Sequence, residues 1–309
     1  MDYDSLRTPQ DDVVRDGAGF EAYRQPGDLI DSGHPEIVAY ARRVAGEGGD
    51  KERALRLYYA VRDDLRYDPY NTPMKREAYR ASTTLASGHG YCVNKAGVMA
   101  AVCRAAGIAA RVGYADVRNH MTTQRLAELM GSDVFYYHGY TDVWLDGRWV
   151  KATPAFNREL TEKFGLKPLD WDAVGDSIYH PFDLSGRRHM EYLAYRGVFA
   201  DIPFDEIRGA FRHYYPRMTR AQEEMPLGGD FGAEGRFLRS VLLRFIQFLA
   251  CAGLVALGAG DLAAGIQHVL DIVRPEVILA ALVVAGEASG LADVESDDAH
   301  ADFTSSEGE

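Results

Sequence analysis

Cysteine is scarce in this chain: three occur among 309 residues, at positions 92, 103 and 251. An odd number at these spacings builds no disulfide framework and fits no zinc or haem signature, which points to free thiols in a reducing compartment. Positive charge is also in short supply. With 34 Lys and Arg against 46 Asp and Glu, the formal net charge is −12. An acidic chain repels phosphate backbones, so nucleic acid is excluded as the expected partner. Long apolar runs are absent. The longest uncharged stretch, Phe245–Gly260, has 16 residues, whereas a bilayer core needs about 20. The first residues, "MDYDSLRTPQDDVVRDG", carry neither a basic region nor an apolar core, so no secretory signal is read and the expected location is the cytoplasm. No repeat of fixed period occurs.

What is present suits a globular protein: 47% hydrophobic and 26% charged residues, enough for a packed core. Residues 1–33 are polar and acidic and read as an N-terminal arm. A domain is expected over 34–224. It opens with a helix in "HPEIVAYARRVAG" and a second in "KERALRLYYAVRDDL"; the apolar positions recur at helical spacing in the first, and Pro35 suits its first turn. "STTLASGHGYC" reads as a loop. "CVNKAGVMAAVCRAAG" reads as a helix of small residues closed by Gly107, and "IAARVGYADV" as a strand. "TTQRLAELMG" is a short helix, and Asp146-Gly147 marks a hairpin between two strands. "HMEYLAYRGVFADIP" reads as a further hairpin and "FDEIRGAFRHYYP" as a helix. After Pro226–Gly229 the composition turns apolar over 225–291. This segment reads as a helical appendage that covers an apolar surface or makes an oligomer or partner contact across 237–290. Arg239 and Arg244 also leave open a helix lying at a membrane interface. Residues 292–309 hold acidic residues without Lys or Arg and read as a disordered tail.

The chemistry centres on "GHGYCVNKAG". A free cysteine is more often a core residue than a reagent, and Cys103, well inside its helix, takes that reading. Cys92 starts the helix, directly after a glycine-rich turn. There the unpaired N–H groups and the helix dipole favour a thiolate, so a nucleophile and a packed thiol both remain open. A nucleophile needs a base. His138 lies on a strand, with Tyr136, Tyr140, Asp142 and Trp144 on the same face. His89 and His120 offer no fixed element to hold the ring, and His180 and His189 fall in a later stretch without a nucleophile.

The hairpin register follows from its two-residue turn. Leu145 pairs with Arg148, Trp144 with Trp149, Val143 with Val150, and Asp142 with Lys151: an aromatic pair, a β-branched pair and an ion pair together. The same register sets Thr153 opposite Tyr140, diagonal to His138. Asp142 lies about 13 Å along the strand from His138. Asn157 would reach the other diagonal if the strand continued past Pro154.

These segments resemble the transglutaminase-like superfamily. "GYCVNKAGVMAAVCRAAGIAARVGY" is similar to its nucleophile helix and following strand, and "HGYTDVWLDGRWVKATPAFN" to its histidine strand and partner. The resemblance covers residues 82–157 and more loosely 34–81 and 158–216. It implies an α+β, papain-like core, with the nucleophile helix packed on an antiparallel sheet and the C-terminal helical appendage outside it. It implies Cys92 as nucleophile, His138 as base, and a third catalytic position that is usually Asp-Pro and is Thr153-Pro154 here. The implied activity is cysteine-dependent acyl transfer or hydrolysis on a peptide or protein amide, with no metal or organic cofactor. The alternative is a binding module on the same fold without turnover, because the usual Asp is Thr153.

Overall fold

The computed structural model describes residues 14–119, 122–178 and 190–234. One compact unit spans Met1–Arg236 and a second Phe237–Glu309. The apolar segment from residue 235 on, the acidic tail, residues 1–13 and the candidates His120, His180 and His189 lie outside the described residues.

The chain is α+β. Two helices come first, α1 (Pro35–Ala45) and α2 (Asp50–Asp64). In α1, Pro35 occupies the first turn and the His34 side chain accepts from the Glu36 N–H, which satisfies one of the donors a helix start leaves open. The short strand β1 (Arg66–Tyr67) follows, then α3 (Ala81–Ser87) and β2 (His89–Gly90), with β1 and β2 pairing in parallel. The helix at residues 81–87 replaces the expected loop. Its Ser-Thr-Thr run favours turns locally, but Asp31 accepts from the Ser82 N–H at 3.0 Å and from its hydroxyl at 2.5 Å. A cap from 51 residues away leaves no local signature.

Helix α4 (Cys92–Ala105) is the central element, with every residue from Cys92 to Arg104 buried. Its small side chains let neighbours approach closely: Ile202 packs on Gly97. It ends as expected at Gly107, where Gly107 N–H donates to Arg104 O and Ile108 N–H to Cys103 O, the paired bonds of a Schellman stop. Strand β3 (Ala110–Asn119), helix α5 (Gln124–Met130), strand β4 (Val134–Leu145), strand β5 (Arg148–Ala152) and helix α6 (Arg158–Phe164) follow. The sheet closes with β6 (Met190–Phe199), and α7 (Phe204–Tyr214) and α8 (Pro216–Glu224) complete the described elements.

The four-stranded sheet runs β5-β4-β3-β6, antiparallel throughout. The hairpin pairs Leu145–Arg148, Trp144–Trp149, Val143–Val150 and Asp142–Lys151, the register read from the sequence. Asp146 and Gly147 both have positive φ, 49° and 78°, the twist that a two-residue hairpin turn requires. Residues 190–199 form one strand rather than a hairpin; Gly197, with φ 90°, bends the strand where its pairing with β3 shifts register and does not reverse it.

Candidate active site

Strand β4 lies along α4. The Thr141 hydroxyl donates to the Ala96 carbonyl at 2.9 Å. Closer to the helix start, a Cβ on Gly139 would lie 3.1 Å from the Cys92 carbonyl oxygen and 3.1 Å from the Val93 Cα. A side chain here would press on the helix backbone, so glycine suits this backbone-to-backbone approach. It brings the residue that follows His138 onto the residue expected to be the nucleophile. The backbone N–H groups of Gly139, Val93 and Cys92 itself are directed at the Cys92 sulfur.

Those donors and the helix start favour a thiolate, but burial outweighs them. Cys92 is 5% exposed, and desolvation pushes its thiol up to about 11. His138, opposite Ala115 and 3% exposed, is pushed down to about 4 by burial. The resting pair is therefore a neutral thiol beside a strand that carries a neutral imidazole, and not the thiolate that the helix start favours. Cys103 is pushed higher still, to about 12, as suits a core thiol. Both cysteines are free.

Five buried phenols lie near enough to Cys92 to feel its charge. Tyr67, Tyr79, Tyr91, Tyr114 and Tyr215 are all raised above the ordinary tyrosine range, first by burial and further by the proximity of Cys92. The Tyr79 and Tyr91 hydroxyls bond each other at 2.7 Å. The Tyr215 hydroxyl donates to Val134 O and accepts from Tyr136 N–H, both at 2.6 Å. Tyr114 stands opposite Gly139 on β3, and its buried hydroxyl finds no hydrogen-bond partner among the described residues.

The third position is placed less firmly. The β5 ladder stops at Ala152, one residue before Thr153. Thr153 is buried, its carbonyl accepts from the Tyr58 hydroxyl at 3.4 Å, and its own hydroxyl finds no hydrogen-bond partner among the described residues. Asn157 does not extend the strand. It precedes α6, and its amide oxygen accepts from the Tyr67 N–H at 3.1 Å, which ties β1 to the end of the hairpin. Asp142 is held by Arg111 at 2.9 Å as well as by Lys151 at 3.6 Å. Its carboxylate serves the sheet. His89 sits on β2 after all, paired with Arg66.

Two features escaped the sequence reading. Lys95, three residues after Cys92, is fully buried and donates to the Arg62 and Leu65 carbonyls at 2.8 and 2.6 Å. Burial lowers its pKa well below the ordinary range. It caps the end of α2 and so fixes the approach to Tyr67. A lysine in the second turn of a small-residue helix, where the only other charge is Arg104 at its far end, was the available signal. The second is Phe231, whose ring packs 5.6 Å from Tyr67 and 5.3 Å from Phe164. Leu227 N–H donates to Tyr70 O at 3.0 Å, and Tyr70 donates to Glu234 at 2.8 Å. The chain after α8 thus returns over the loop that follows β1. Among the described residues no cluster of His, Cys, Asp or Glu could hold a metal ion, and no helix is long and apolar enough to cross a membrane.

Residues 38–154 match the family model of the transglutaminase-like superfamily. Two solved structures are similar to the chain. One is a candidate cysteine protease from Cytophaga hutchinsonii, with 18% identity, a TM-score of 0.34, and coverage of 47% of this chain and 45% of that one. The other is a candidate protease from Parabacteroides distasonis, with 17% identity, a TM-score of 0.30, and coverage of 44% and 26%. The chain spans less than half the length of each. No curated protein matches it.

Proposed function

We propose, from a chain that carries a transglutaminase-like domain over residues 38–154, that it catalyses cysteine-dependent acyl transfer or hydrolysis on the amide bonds of a peptide or protein. The observation that carries this reading is the close approach of Gly139 to Cys92, which brings the nucleophile's helix and the histidine's strand together.

Both groups rest neutral, so His138 acts first as a base. It takes the Cys92 proton as the sulfur attacks the amide carbonyl. The carbonyl oxygen becomes an oxyanion, and the Cys92 backbone N–H at the start of α4 is a donor for it. The imidazolium then gives its proton to the departing amine, and the C–N bond breaks. This leaves a thioester on Cys92. Water activated by neutral His138 releases an acid; an amine instead of water gives a new amide. Thr153 stands third, as a weak orienter of His138: its hydroxyl can accept a hydrogen bond from the ring N–H but brings no charge to stabilise the imidazolium. Substrate entry displaces part of the wall, since neither Cys92 nor His138 is open to solvent.

The Thr153 hydroxyl, without a hydrogen-bond partner among the described residues, favours a second reading, a binding module without turnover. Incubation with a peptide pool, read by ammonia and new amino termini released, separates the two. The enzyme reading expects turnover by wild type and Cys103→Ala and none by Cys92→Ala. A pool bound without turnover supports the module, and turnover by Cys92→Ala refutes the mechanism.

A further inference from the structure

The strand that carries His138 is irregular just before it. Strand β3 pairs Ala115 with His138 but Val117 with Phe135. Between these pairs β3 spends one residue, Asp116, and β4 spends two, Tyr136 and Tyr137. This is a β-bulge, and Tyr137 adopts φ 56°, a left-handed conformation disfavoured for any residue with a Cβ. Such a conformation persists only where its surroundings impose it.

The surroundings here are specific. Tyr137 N–H donates to the Asp116 carboxylate at 3.2 Å, and Tyr136 N–H to the Tyr215 hydroxyl at 2.6 Å. Side chains therefore take both amides of the bulge. Asp116 is buried, and its two oxygens receive Arg196 from β6: Nε at 3.0 Å to each and Nη2 at 2.5 Å to one. The same guanidinium lies 5.3 Å from the Tyr137 ring, and Tyr137 donates to Glu206 on α7 at 3.4 Å. The pairing of β3 with β6 shifts register at Asp116 as well. Both neighbouring strands thus carry an extra residue beside Asp116, and β6 carries another at the Tyr114–Ala115 step.

We propose that Asp116, held by Arg196, is a positioning residue for His138: it fixes the left-handed bulge at Tyr137 and thereby the peptide that aims the next side chain at Cys92. This rests on His138 being the working base. The clamp replaces the strand partner that the bulge removes, and it pairs the buried Asp116 carboxylate with a half-buried guanidinium.

The test uses the full-length protein with five variants, Asp116→Ala, Asp116→Asn, Arg196→Ala, Tyr137→Gly and the Asp116→Ala/Tyr137→Gly double. Readouts are the NMR shift and titration of the His138 imidazole, and kcat and KM separately. Asp116→Ala should move the His138 resonance and its titration and lower kcat roughly tenfold or more, a loss of about 1.4 kcal/mol in transition-state stabilisation, with KM within about twofold. Tyr137→Gly, which also loses the ring contacts with Arg196 and Glu206, is the baseline against which the double variant is read. In the double variant glycine adopts the left-handed conformation unaided, so resonance and kcat should return toward that baseline. If Asp116→Ala does not fold, Asp116→Asn, which keeps an acceptor for the Tyr137 N–H, should shift the resonance less than Arg196→Ala does. An unmoved His138 resonance in folded Asp116→Ala, or no recovery in the double variant, overturns the proposal. A resonance that moves and recovers in a protein without turnover supports the clamp and refutes the enzymatic reading instead.

Discussion

Acid should unfold this protein in part through His138, and the size of the effect follows from its burial. The folded imidazole titrates near 4 against an ordinary value of 6.5. An unfolded chain therefore binds a proton that the folded one refuses, and between those values stability falls as pH falls. The slope is about 1.4 kcal/mol per pH unit and the total, reached below pH 4, about 3 kcal/mol. Cys92 acts at the other end: the folded thiol titrates near 11 against 9.0, so stability is lost as pH rises above about 9. Between about pH 7 and 9 neither group contributes a loss. Urea unfolding followed by the fluorescence of Trp144, Trp149 and Trp171, at pH 8 and pH 5.5, measures the acid limb. Other histidines titrate too, so the quantity is the difference between wild type and His138→Gln. Wild type should lose about 1.4 kcal/mol more than the variant. Equal losses, or an NMR titration of His138 at 6.5 or above, would refute the reasoning. The imidazole would then be solvated or paired, and the attack would begin from a standing ion pair.

Gly139→Ala forces a methyl against the Cys92 and Val93 backbone; it should cost about 1–3 kcal/mol and change the rate of Cys92 alkylation, and a variant neutral in both removes the close approach from the account. Thr153→Asp places a carboxylate at the third position and should raise the His138 pKa and shift turnover strongly, whereas an unchanged titration and pH–rate profile moves the role elsewhere. Asn157→Ala should lower stability by about 1–3 kcal/mol, because it orphans the buried Tyr67 N–H; a shifted His138 titration at unchanged stability would make Asn157 the orienter. Tyr114→Phe removes a buried hydroxyl without a partner and should leave the denaturation midpoint unchanged or raise stability by up to about 1 kcal/mol. A clear loss would mean the hydroxyl is bonded.

The sequence carried what is local or strictly periodic. Asp146-Gly147 sets a two-residue turn, and every pair from Leu145–Arg148 to Asp142–Lys151 followed from it. Helix α4 was legible because Cys92 follows a glycine turn and Gly107 closes the run. What failed was decided at a distance. Residues 82–87 are helical because Asp31 caps them, and Gly197 bends β6 where sequence chemistry suggested a turn. The thiolate was expected from the helix start alone. The phenols of Tyr67, Tyr79, Tyr91, Tyr114 and Tyr215 come from five separate parts of the chain, and no sequence window brings them together near Cys92. Thr153 was legible as a position by register. That its hydroxyl finds no partner among the described residues was not, because the ladder ends one residue early.

The central claim is that Cys92 becomes acylated. Wild type, Cys92→Ala and Cys103→Ala are mixed with the peptide pool, quenched in acid within seconds, and read by intact mass and a tryptic map. The account predicts a thioester on the peptide that contains Cys92 in wild type and Cys103→Ala, removed by hydroxylamine and absent from Cys92→Ala. Amide turnover by Cys92→Ala, or an acyl group carried on Cys103 or Cys251 instead, would contradict it.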